Sequence, residues 1–179
     1  MRRYVSRTLL LAIPSVLLLA AGTGSAQAQA AKGASGLPLP RFVSLKAKSI
    51  NVRIGPSLDY AIAWRYLKSG LPVEIIQEYD NWRRIRDAEG TEGWVNQALL
   101  SGERTAVAAP WMRGKGEDVF VNMRGEAQAN SPIVARVEPG AVVRVGQCTG
   151  EWCRVSVKSV EGWMSQSEMW GAYPGEAFK

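Results

Sequence analysis

From Ala47 onward the chain is built of short runs in which apolar and polar side chains alternate, each closed off by turn-forming residues. Ala47–Arg53 reads as a strand, and Gly55-Pro56-Ser57-Leu58-Asp59 as an exposed loop. Ile62–Leu67 is a second strand ending at Lys68-Ser69-Gly70. Val73–Tyr79 and Trp82–Arg86 flank the tight turn Asp80-Asn81, and Glu92–Val95 follows as a fifth. No stretch after residue 30 sustains the 3.6-residue period of an amphipathic helix over three turns. Short strands at this spacing predict an all-β architecture of small barrels or sandwiches.

The same landmarks then recur. Asn51-Val52-Arg53 returns as Asn122-Met123-Arg124, Ile62 as Ile133, and Gly70 as Gly140. Trp82-x-Arg84-Ile85 returns as Trp152-x-Arg154-Val155, and Gly93-Trp94-Val95 as Gly162-Trp163-Met164. Their order is kept while the offset drifts from 71 through 70 to 69, so one residue is lost in each of two loops. This is a tandem duplication of a unit of roughly 60 residues. A solenoid would need at least three copies. A unit this small has a thin core, which docking of the copies and any cross-link would reinforce. The predicted organisation is a leader over 1–28, a linker over 29–41, a first domain over 42–100, a connection over 101–111, a second domain over 112–170 and a tail over 171–179. The connection is short and carries the apolar Val107 and Trp111, so the copies are expected to dock.

The N-terminus sets the expected compartment. Arg2, Arg3 and Arg7 precede a 13-residue apolar run, 9–21, and Ala26-Gln27-Ala28 fits a small-residue cleavage pattern. Thirteen helical residues span roughly 20 Å, short of the roughly 30 Å hydrocarbon core, so a cleaved signal peptide is predicted rather than an anchor. No later run is apolar enough to span a membrane. The expected location is the periplasm or the exterior. In such an oxidising place the close pair Cys148 and Cys153 reads as a disulfide stapling a hairpin. A metal site would need further ligands, and the chain has no His and no other Cys. No cofactor is implied.

Charge changes the picture little. The chain carries 22 basic and 16 acidic side chains, and without the three N-terminal arginines the remaining 19 against 16 leave +3. Such a surface suits anionic envelope polymers. Nucleic acid does not fit an exported protein, and the run Trp82-Arg83-Arg84-Ile85-Arg86 reads as a solvated strand face.

Asn51-Val52-Arg53, Gly55-Pro56-Ser57, Gly70, Trp82 and Gly93-Trp94-Val95 together resemble a bacterial SH3-like domain. The stretches 40–47, 81–87, 90–102, 148–155 and 169–176 are similar to recurring phrases of exported tandem proteins of this type, common in alphaproteobacteria. The resemblance covers 40–176. The second copy departs from it where Gly125-Glu126-Ala127 replaces Gly-Pro-Ser, which predicts a less ordered loop. The resemblance implies two tandem SH3-like barrels that dock onto cell-wall peptides or protein partners.

An enzyme is not expected. Without His there is no Ser-His-Asp or Cys-His chemistry. A carboxylate-pair cell-wall hydrolase would need two facing Asp or Glu roughly 5–9.5 Å apart, and the candidates, such as Asp59 and Asp80, lie in turns. The binding reading rests on seven Trp and five Tyr. Trp94 and Trp163, each following Gly, are expected in the cores. Trp82 has the opposite strand parity from Ile85, so it is predicted to be half exposed. Candidate ligand-binding residues are Tyr60, Tyr79, Trp82 and Arg84 in the first copy and Trp152 and Arg154 in the second. The expected ligand is peptidoglycan or a cell-wall peptide, and an adaptor role toward an envelope protein is the alternative.

Overall fold

The computed structural model describes residues 31–179. The signal peptide expected over 1–28 lies outside the described residues. The first copy contains β1 (Ala31–Lys32), β2 (Pro38–Leu39), β3 (Arg41–Leu45), β4 (Ile50–Arg53), β5 (Ile62–Tyr66), β6 (Pro72–Tyr79), β7 (Trp82–Arg86), β8 (Glu92–Asn96) and β9 (Leu100–Ser101). The second contains β10 (Thr105–Ala108), β11 (Val121–Arg124), β12 (Ile133–Val137), β13 (Val142–Thr149), β14 (Trp152–Val157), β15 (Val160–Ser165), β16 (Met169–Trp170) and β17 (Ala177–Phe178). The only helical elements among the described residues are three short 3-10 turns.

The two main sheets have one topology. The first runs β5-β4-β8-β7-β6-β3-β9 and the second β12-β11-β15-β14-β13-β10-β16, all antiparallel. Bulges recur too, at Ile75/Gln77 and Val145/Gln147, and at Val52/Arg53 and Met123/Arg124. Such bulges bend a sheet sharply and let it wrap around its own core. Gly70 and Gly140, at φ 75° and 88°, make the turns into β6 and β13, a backbone region that glycine enters without strain. Three segments are more ordered than the sequence predicts. Residues 105–108 of the expected connection are strand β10. The expected tail contributes β17, paired to β13, and the expected linker contributes the β1–β2 hairpin.

Alternation along the strands builds two separate cores. Leu45, Ile50, Val52, Val73, Ile75, Ile85 and Val95 fill the first. Val121, Met123, Val143, Val145, Val155 and Met164, with both cysteines, fill the second. Burying each such aliphatic chain contributes roughly 1.5–3 kcal/mol. Cys148 and Cys153 are disulfide-bonded, with their Cα atoms 4.1 Å apart.

Trp94 and Trp163 correct the expectation that they are core. Strand pairing puts Val95 and Met164 inward, both fully buried, and turns the tryptophans to the outer face, where they are half-buried. The glycine before each is the inward neighbour. A Cβ on Gly93 would sit 2.4 Å from Val52 Cγ1, and one on Gly162 would sit 2.6 Å from Met123 Cγ. Only a residue without a side chain fits where β8 and β15 cross so close to β4 and β11.

The copies dock, as expected. Phe42 of β3 packs edge-on against Trp170, with centroids 4.9 Å apart, and against Tyr173 at 4.7 Å. Tyr173 Oη donates to Glu74 Oε1 at 2.8 Å, while Arg86 donates to Glu74 Oε2 from Nε at 2.9 Å and from Nη2 at 2.6 Å. Burial and the adjoining Glu74 carboxylate push the Tyr173 phenol well above its ordinary pKa, so it stays a donor. Arg104 grips the tail, donating to both carboxylate oxygens of Glu176 at 2.9 Å and lying 4.4 Å from the Phe178 ring centroid. In the join itself Val107 is buried, while Trp111 is half exposed.

Candidate functional site

On the outer face of each sheet a tryptophan lies between two arginines. Trp94 on β8 is directly opposite Arg53 on β4 and Arg84 on β7. Trp163 on β15 is directly opposite Arg124 and Arg154. Facing residues on adjacent antiparallel strands share a side of the sheet, so each row presents an indole flanked by two guanidiniums. Arg84 is paired to Glu92 at 2.9 Å and Arg154 to Glu161 at 2.8 Å. Both pairs are well exposed and contribute little stability.

Arg53 and Arg124 hold the long loops. Arg53 Nη1 donates to the carbonyl of Tyr60 at 2.6 Å, and Arg124 Nη1 to that of Ser131 at 2.8 Å. The loops also share their backbone bonds: Ile54 N to Ala61 O matches Gly125 N to Pro132 O, and Ser57 N to Gly55 O matches Gln128 N to Glu126 O. The expectation of a less ordered second loop is therefore corrected. Arg124 and the buried Ser131, whose Oγ accepts from Glu126 N at 2.9 Å, do the ordering without Gly-Pro-Ser. The Asn-x-Arg landmark was visible as a repeat, but sequence reasoning missed this role for its arginine.

The loops have one shape and different surfaces. The first presents Ile54, Leu58, Tyr60 and Ile62, all exposed, with Leu58 at 73%. The equivalent second-copy positions carry Gly125, Ala129, Ser131 and Ile133. The apolar rim is therefore wider in the first copy, where it reaches Leu58 and Tyr60, whereas the second copy exposes Ile133 and Val134 beside its indole row.

Of the predicted site residues, Tyr60 lies on that rim and Arg84 in the row. Arg154 takes the corresponding place beside Trp163. Tyr79 is exposed at the hairpin end, directly opposite Trp82. Trp82 corrects the prediction of half exposure, since only 8% of it is accessible. It does face outward, as its parity requires. It sits on a central strand between Tyr79 on β6 and Asn96 on β8, and parity takes no account of cover from such lateral neighbours. Trp82 is thus more buried than Trp94, the reverse of the expected order. Trp152 is half-buried, as is Trp163, and it pairs with Ser165.

The hairpin ends are tied differently. Glu78 faces Arg83 and Cys148 faces Cys153. Glu78 accepts from Ser35 N and Ser35 Oγ at 2.8 Å and from Arg41 Nη2 at 2.6 Å. Burial alone would raise the pKa of its carboxyl, but these donors outweigh burial and hold it at about 2. Arg83 is buried and bonded to Glu78 and to the Gln97 side chain. No group of three or more Cys, Asp or Glu side chains among the described residues is arranged to hold a metal ion. No helix among them is long and apolar enough to cross a membrane.

No curated protein matches the chain. Among the solved structures similar to it are two from Trichomonas vaginalis: NlpC2, at 11% identity over 73% of this chain with a TM-score of 0.33, and NlpC1, at 12% over 77% with a TM-score of 0.33. The chain spans about half the length of each, 48%. The family model for the bacterial SH3 domain matches twice, over residues 46–102 and 117–171, more than half of the chain and one match for each of the two sheets. The duplicated topology, the paired Asn-x-Arg and Gly-Trp landmarks and these two matches place the chain in the bacterial SH3 domain family, as a tandem of two such domains.

Proposed function

We propose that the protein is an exported, non-catalytic envelope protein whose first SH3 domain recognises a peptidoglycan stem peptide. The observation that carries this reading is the asymmetry of the two loops. Ile54, Leu58 and Tyr60 make an apolar rim beside Trp94 and Arg84, and the second copy keeps the same backbone but carries Gly125, Ala129 and Ser131 at those three positions, leaving Ile133 and Val134 as its exposed apolar side chains there. Exposed apolar side chains on a tied-down loop are costly unless a ligand covers them. An indole beside guanidiniums offers flat apolar contact together with donors for a peptide carboxylate. The N-terminal leader pattern supports export. The absence of His supports a binding rather than a catalytic role, as does the engagement of both cysteines in a bridge.

The test is co-sedimentation of the purified mature protein with isolated sacculi. The variant Leu58→Ala/Tyr60→Ser gives the first loop the second loop's residues. It is expected to weaken binding on the order of tenfold, matching about 1.4 kcal/mol of lost contact. Wild-type protein that stays in the supernatant, while a protein partner is captured from envelope extract through the same two residues, would overturn the wall reading and establish an adaptor.

A further inference from the structure

Between the two domains lies a cleft of about 610 Å³ lined from both sides, within the size range of ligand sites. Its charged lining is lopsided: Lys46 and Lys68 from the first domain, Arg144 and Lys158 from the second, and the single carboxylate of Glu103. None of the four cationic side chains has an ion pair or a side-chain hydrogen bond among the described residues. Cations gathered around one concave volume repel one another and focus a positive potential into it.

The repeat shows how the second domain's share of this charge comes to be free. Across β3, β6 and β7 the facing residues are Phe42, Glu74 and Arg86. Across β10, β13 and β14 the corresponding row is Thr105, Arg144 and Ser156. In the first domain the row is saturated, with Glu74 held by Arg86 and Tyr173. In the second, the acid has become a base and its cross-strand partner a serine. Arg144 is left exposed and unneutralised, and the buried Thr105 hydroxyl has no hydrogen-bond partner. All three residues of that second row line the cleft.

We infer that the interdomain cleft is a binding site for a multivalent oxyanion, a ligand carrying several phosphate or carboxylate groups, held by Lys46, Lys68, Arg144 and Lys158. Neither domain alone supplies more than half of these cations. The aromatic and tyrosine–glutamate contacts of the tail fix their spacing, so the site belongs to the tandem. It is separate from the Trp94 face.

The test is calorimetric titration of the full mature protein at low salt with two probes, inorganic tripolyphosphate and a short γ-linked polyglutamate. One-to-one saturable binding is expected to at least one of them, and the better probe identifies phosphate or carboxylate as the recognised group. Affinity is expected to fall as salt is raised and the Debye length shrinks from about 10 Å toward 3 Å. Lys46→Glu/Lys158→Glu and, independently, Lys68→Glu/Arg144→Glu are expected to lower affinity at least tenfold. Lys115→Glu/Lys179→Glu changes net charge equally outside the cleft and is expected to leave affinity within about twofold, since separated surface charges are screened. Saturable binding to neither probe, or equal losses in the cleft and control variants, would overturn the assignment. Sacculus binding by the Trp94 face is read separately, through Leu58→Ala/Tyr60→Ser.

Discussion

Glu78 and Arg83 stand directly opposite each other across the β6–β7 hairpin, with Arg83 Nε 3.3 Å from Glu78 Oε1, at the two positions that Cys148 and Cys153 fill in the second copy. The duplicated hairpin is closed once by a buried ion pair and once by a covalent bond. The two closures respond to different agents.

A thiol reductant is expected to loosen the second domain and leave the first almost untouched. Closing a six-residue loop contributes about 2 kcal/mol in the chain-entropy model. Amide exchange should accelerate in β13 and β14, and in β17, which pairs with β13 at Cys148. Protection in β6 and β7 should not change. The converse substitution, Glu78→Cys/Arg83→Cys, is expected to form a new bridge in oxidised protein, detected as the loss of two free thiols by mass spectrometry. Free thiols persisting after oxidation would show that the first hairpin cannot adopt the geometry of the second.

Acid should act on the first hairpin. The Glu78 carboxyl sits at about 2 in the folded protein against an ordinary 4.5. A depressed carboxylate contributes stability that is fully present above the unfolded value and is lost as pH falls through the folded value. Stability of the first domain should therefore decline between pH 4.5 and about 2. Glu78→Gln should flatten that decline while lowering stability at neutral pH. Denaturant unfolding at several pH values, followed by amide exchange in β6 and β7, reads both effects. An identical pH dependence in the variant would remove Glu78 as its source.

Gly93→Ala and Gly162→Ala should each cost roughly 1–3 kcal/mol, the usual range for overpacking a core. The second should be the worse, because its added methyl meets the Arg124 carbonyl oxygen at 2.7 Å as well as the Met123 side chain, whereas Gly93 chiefly meets the side chains of Val52 and Trp64. Equilibrium denaturation of the two variants ranks them. A neutral effect at both positions would mean that β4 and β8, and β11 and β15, can separate freely.

These glycines also mark where the sequence stops being legible. Repeat order, strand alternation and the cysteine pair were enough for the duplicated all-β design and for the pairing of Glu78 with Arg83, because those signals are local or periodic. Gly-Trp-Val, by contrast, offers two apolar residues of opposite parity, and hydrophobicity favours either as the core member. The choice falls on Val95 because the Cβ-less Gly93 must pass close to Val52, a contact between strands distant in sequence. Trp82 is illegible for a related reason: strand parity gives its outward face, whereas its low exposure depends on the strands either side of it. The contacts joining Phe42, Glu74, Trp170 and Tyr173 bridge a separation of up to 131 positions along the chain, and no periodic signal records them.

The tail's grip on the first domain has a consequence for the order of assembly. A chain that emerges N-terminus first into the compartment where it folds delivers Phe42 and Glu74 some hundred residues before Tyr173, and Arg104 long before Glu176. The first domain can complete its own sheet as soon as Leu100 and Ser101 arrive. Its docking face must then wait, with an uncovered aromatic ring and an incompletely bonded carboxylate, until Trp170 and Tyr173 arrive. Arrival of Trp170 and Tyr173 is therefore the event that joins the two sheets into one body, and a chain cut short before them would lack the aromatic and tyrosine–glutamate lock.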